Sequence, residues 1–81
     1  MFKNKADNTN NICGTKIRKL RQTNFENLSQ RGLADMLQLA GIDLDKNAIQ
    51  RIESGQRFVT DIELVAFSKV LGVSFDELLN Q

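Results

Sequence analysis

The residues best suited to do chemistry lie in one stretch, Lys46-Asn47-Ala48-Ile49-Gln50-Arg51-Ile52-Glu53-Ser54-Gly55, with Asp45 just ahead. Read as a helix at about 100° per residue, the stretch puts Ala48, Ile49 and Ile52 on one side. Lys46, Asn47, Gln50, Arg51 and Ser54 fall on the other. That outer face holds donors and acceptors and no lone carboxylate. Side chains of these types pair with base edges in a DNA major groove. The competing reading is the ordinary solvated face of a surface helix. Asp45 suits the N-cap, because its carboxylate accepts from free N–H groups of the first turn. Gly55 suits the stop, because glycine takes the left-handed conformation cheaply.

Other chemistries lack their residues. There is no histidine, and Cys13 is the sole cysteine. Neither an internal disulfide nor an ordinary zinc set can form, and no metal or cofactor is expected. No glycine loop of the phosphate-cradling kind exists. The chain is therefore not read as an enzyme. Cys13 lies beside a basic stretch, where a thiol with lowered pKa could sense redox state. Its plainer reading is a small buried thiol.

A chain of 81 residues forms one small domain, with a modest core and no room for a deep catalytic cleft. Net charge is only +1, but its distribution is uneven. Residues 1–31 carry seven Lys/Arg against Asp7 and Glu26, or +5. Residues 58–81 carry Lys69 against Asp61, Glu63, Asp76 and Glu77, or −3. A basic end and an acidic end suit a protein that presents one side to an anion. No apolar run is long enough to span a membrane, and Met1 to Asn11 lacks the apolar stretch of a secretion signal. A cytoplasmic location is expected.

The elements that must position the central stretch announce themselves by a repeated signature. A hydrophobic staple pairs the residue before an N-cap with the fourth helical residue. Leu28-Ser29 is followed by Leu33, Leu44-Asp45 by Ile49, Val59-Thr60 by Leu64 and Val73-Ser74 by Leu78. Thr60 with Glu63, and Ser74 with Glu77, add capping boxes. Helix starts are thereby predicted at 30, 46, 61 and 75. A further helix is read over 12–24, with Ile12, Ile17 and Leu20 as a thin apolar stripe and Lys16, Arg18, Lys19 and Arg21 around it. Phe25 is read as a core plug, and Ile42 and Leu44 as tucked inward. Residues 1–11 are polar and lack periodicity, so they read as a flexible arm, and 12–81 as the folded domain. Lys3 and Lys5 of the arm could touch nucleic acid, or the arm could be an ordinary frayed terminus. With no strand signal, the expected fold is all-α, five short helices around one core.

The sequence resembles the Xre/Cro-type, lambda-repressor-like helix-turn-helix family over about residues 12–79. The resemblance rests on Ile17-Arg18-Lys19-Leu20-Arg21, then on Leu28-Ser29-Gln30 with Leu33-Ala34 and Leu37. It continues through Ile49-Gln50-Arg51-Ile52-Glu53-Ser54-Gly55 and closes with Leu71-Gly72-Val73-Ser74-Phe75-Asp76-Glu77-Leu78-Leu79. It implies a compact five-helix DNA-binding domain in which Ala34 sits where the second and third helices cross. Lys46, Asn47 and Gln50 fall where the family reads base edges, with Arg51 at the margin of that face. Gln30 resembles the glutamine that holds a DNA phosphate at the start of the second helix, where free N–H groups favour anions in any case. Ser29, Arg31, Gln56 and Arg57 are grouped with it as phosphate ligands. Glu53 borders the apolar face and needs a partner, since an unpaired buried charge is costly. The family pattern offers Arg21, giving a structural ion pair. One departure stands out. The helix-turn-helix connection is normally a turn of about 3–4 residues. Here Ala34 and Ile49 stand fifteen apart, about five more than the pattern, so the connection between the second and third helices is extended.

The resemblance implies a sequence-specific regulator of transcription, a repressor, that binds double-stranded DNA as a homodimer. Phe75, Leu78 and Leu79 are candidates for the dimer surface, or for caps on the core. The low net charge keeps an alternative open, an antitoxin-like or adaptor module that grips a protein partner with the same helices.

Overall fold

Four of the helices begin where a side-chain oxygen takes up an orphan N–H. In the computed structural model, which describes residues 9–80, Ser29, Asp45, Thr60 and Ser74 each have extended backbone and accept from the N–H three residues on. The helices that follow are α2 (Gln30–Leu39), α3 (Lys46–Glu53), α4 (Asp61–Leu71) and α5 (Phe75–Leu79). All four starts fall where the staples and caps put them. At Thr60 the box closes in both directions, with Thr60 N–H donating back to Glu63 Oε1 at 3.0 Å. At Ser74 only the forward half forms, from Glu77 N–H to Ser74 Oγ at 3.1 Å.

The first helix, α1 (Gly14–Asn24), starts two residues later than the sequence suggests. Ile12 lies outside it and is exposed, and Cys13 replaces it in the core. The N-cap position is Cys13, which offers no side-chain cap, and Asn11 Oδ1, two residues before it, accepts from Gly14 N–H at 2.7 Å.

The core is shared by every helix. Ile17, Leu33, Leu37, Ile49, Ile52, Phe67 and Leu78 are fully buried. Each such side chain contributes about 1.5–3 kcal/mol of transfer free energy. Helix α3 packs on α1 and α2, while α4 packs on α1, α2 and α5. Phe25 is half-buried against the cluster, as are Leu28, Ile42 and Val59. Among the described residues, no helix is long and apolar enough to cross a membrane.

The extended connection has a defined shape. Helix α2 ends in paired bonds, Gly41 N–H to Gln38 O at 3.0 Å and Ile42 N–H to Leu37 O at 2.9 Å, the Schellman pattern. Residues 40–45 then carry the chain to α3, with Leu44 buried. Helix α3 ends the same way, through Gly55 N–H to Ile52 O and Gln56 N–H to Arg51 O. Gly55 has φ +82°, in the region where a side chain is strained.

Residues 9–11, counted with the arm on sequence grounds, are docked on the domain. Asn10 N–H donates to Gly55 O at 2.7 Å, and the Asn11 side chain reaches both α3 and the loop after it. Lys3 and Lys5 lie outside the described residues.

Candidate nucleic-acid interface

Helix α3 divides cleanly into two faces. Ala48, Ile49 and Ile52 are buried, while Lys46, Asn47, Gln50, Arg51 and Ser54 are exposed. Among the described residues, the side chains of Lys46, Asn47, Gln50 and Arg51 make no hydrogen bond or ion pair. Their donors and acceptors face solvent uncommitted. Asp45, at the helix start, binds Ala48 N–H through Oδ1 at 2.8 Å. That carboxylate is thus occupied as a cap.

The buried border of α3 is held by a charged cluster. Arg21 Nε donates to Glu53 Oε2 at 2.8 Å and Arg21 Nη2 to Glu53 Oε1 at 2.9 Å, a bidentate pair joining α1 to α3. Arg21 Nη1 also donates to Leu28 O at 2.6 Å. The side chains are only 10% and 3% exposed, so this is a structural clamp and not a free cation. The hydrogen bond to Glu53 raises the already high Arg21 pKa, outweighing the opposing effect of burial.

Gln30 belongs to the same cluster. Its Nε2 donates to Glu53 Oε1 at 3.0 Å, tying the first residue of α2 to the last of α3. The sequence pattern assigned Gln30 to phosphate alone, and its bond to Glu53 is additional to that expectation. Beside it, Ser29 and Arg31 are exposed. Ser29 Oγ caps Gly32 N–H at 2.9 Å. Gly32, out of place in a helix by propensity, sits close beneath its neighbours. A Cβ there would lie 2.7 Å from Leu28 Cδ1.

Arg57, expected on phosphate, also holds an ion pair within the domain. Its Nη1 and Nη2 reach Glu63 Oε1 and Oε2 at 2.9 and 3.1 Å, and Nη1 also donates to Phe58 O. The guanidinium closes the start of α4 by holding the same Glu63 that completes the capping box. The Glu63 pKa is lowered, chiefly by the hydrogen bond from Arg57. Gln56, one residue earlier, is exposed. Cys13 is buried, and burial raises its thiol pKa, which is the opposite of what a redox sensor needs.

Two residues of this region escape a reading by periodicity. Asn11 Nδ2 donates to Ile52 O at 3.0 Å and Arg57 O at 2.8 Å, so it meets both the end of α3 and its loop. Gly14 lets α1 pass close to α3, since a Cβ there would clash with Ile52 O. A usable signal for Asn11 does exist. It stands three residues ahead of the N–H it accepts from, the spacing of Ser29 to Gly32 and Asp45 to Ala48.

Apolar side chains are also exposed around α4 and α5. Ile62 and Val65 stand three apart on α4, and Phe75 and Leu79 four apart on α5, with Phe58 just before α4. Leu78, read with Phe75 and Leu79 as either dimer surface or core cap, is fully buried and takes the second role.

A helix-turn-helix family model matches residues 17–78, from α1 into α5. A relative, control protein C.MunI of a Mycoplasma sp, is 37% identical over 67 residues, which cover 83% of this chain and 82% of the relative. No solved structure gives a significant match. The all-α five-helix architecture is that of lambda-repressor-like domains. The chain belongs to the Xre/Cro-type helix-turn-helix family of DNA-binding regulators, which are not enzymes.

Proposed function

We propose that this protein is a sequence-specific regulator of transcription that lays α3 in the major groove of double-stranded DNA. The observation that carries the reading is the state of the outer face of α3. Lys46, Asn47, Gln50 and Arg51 are exposed and uncommitted, while the inner face is locked to α1 and α2. Asn and Gln suit adenine edges, and Arg and Lys suit guanine. Ser29, Gln30, Arg31 and Gln56 are assigned to phosphates around the groove, where the open N–H groups at the start of α2 add a dipole that favours anions. Arg57 is assigned to phosphate with them, from a guanidinium that also holds Glu63 at the start of α4. Similarity to a control protein supports a regulatory role, which we assign as repression. It works where the DNA is, in the cytoplasm.

The exposed apolar residues of α4 and α5 support a homodimer, the state in which such domains span two half-sites one helical turn apart. Selection of bound duplexes from a random pool tests the reading. The expected result is a recurring motif in two related halves, bound with an affinity that falls steeply with salt. A pool that stays random, or a partner interaction indifferent to salt, would instead favour a protein-binding module.

A further inference from the structure

The extended turn before α3 raises the question of what fixes that helix in the groove. In a tight helix-turn-helix a turn of about 3–4 residues joins two helices that cross at about 90–120°. Here six residues, 40–45, separate α2 from α3. The C-terminal end of α3, by contrast, is gripped from three sides. Glu53 is held by Arg21 and Gln30. Gly14 brings the start of α1 against Ile52 O. Asn11 closes the set. Its Nδ2 donates to Ile52 O and Arg57 O, while its Oδ1 accepts from Gly14 N–H. Asn10 adds its backbone N–H to Gly55 O and its Nδ2 to Gln56 O, both at 2.7 Å.

We infer that Asn11 is a positioning residue for DNA sequence readout, setting the tilt of α3 from its C-terminal end in place of the short turn. One side chain joins the start of α1, the end of α3 and the loop that follows. A rotation of α3 about its N-terminal end would break both Nδ2 bonds at once. Gln50 and Arg51 lie within a turn of Ile52, so their reach to a base edge depends on this anchor. The inference rests on the reading of α3 as the groove-binding helix.

The test uses the full chain with a selected duplex and a random duplex of the same length. Asn11→Asp keeps the acceptor for Gly14 N–H and removes both donations to Ile52 O and Arg57 O. Below its melting transition, this variant is expected to lower the ratio of selected to random affinity by about tenfold, as for the loss of a base contact. Affinity for the random duplex should change little. Asn10→Ala, which removes only the bond to Gln56 O, carries the test if Asn11→Asp does not fold. Its ratio should also fall, by less. As the converse, one glycine inserted between Ile42 and Asp43 should leave the ratio within about threefold of the parent, well under a base contact. An unchanged ratio in the Asn variant overturns the inference, as does a ratio that collapses on lengthening the connection. A parent chain with no preferred duplex would overturn the reading of α3, and this inference with it. A discriminating parent beside an equally discriminating variant overturns the inference alone.

Discussion

Removing Arg21 would strand Glu53 among buried side chains with only Gln30 to satisfy it. Breaking a buried pair from one side costs about 3–5 kcal/mol. A domain of this size has roughly 4–12 kcal/mol in total. Arg21→Ala should therefore lower Tm by more than about 10 °C. Where the variant is folded, DNA affinity should fall much less. An unchanged melting curve would show the clamp to be dispensable. The need for a partner at Glu53 is readable from its place on the helical wheel, since a carboxylate at the apolar border must be paired. The identity of that partner is less so, because Arg21 lies thirty-two residues away and only a family pattern nominates it. Gln30 and Arg57 illustrate the limit. Both are polar, near helix starts, and suited to phosphate by type. Their partners, Glu53 and Glu63, follow from the placing of whole helices, and no local rule supplies that.

At the scale of the elements, the caps decide most of the chain. The starts of α2, α3, α4 and α5 were legible because a cap and a staple are local, spanning only a few residues. The start of α1 was not, because its N-cap, Cys13, has no side-chain cap and the Gly14 N–H is taken by Asn11, which also bonds residues 41 and 46 positions away. The same distance hides the docking of residues 9–11, which read as an arm by composition alone. Caps also give a pH dependence. Glu63 has a carboxyl pKa lowered from the ordinary 4.5 by Arg57, so its contribution is fully present above that value. It is lost as pH falls through the lower, folded-state pKa. Glu63→Gln should remove this part of the acid limb, leaving a flatter Tm against pH below about 4.5. An acid limb as steep as the parent's would place the sensitivity in another carboxylate.

At the scale of the whole molecule, one side of α3 is committed to the core and the other is open, with the exposed apolar residues of α4 and α5 elsewhere. The split follows from helical spacing around Ile49 and Ile52, which is why the face is legible in the sequence. Its tilt does not follow from periodicity, because the five extra residues between Ala34 and Ile49 change geometry without changing the helical repeat. Whether that open face reads bases decides the function. The most direct measurement is the affinity of Gln50→Ala for the selected duplex and for each of its single-base variants. Direct readout predicts a loss of about 1–3 kcal/mol on the selected site and relaxed preference at one base position, with random duplexes bound as before. Equal loss on every sequence would mean that Gln50 touches no base, and the central claim would fail.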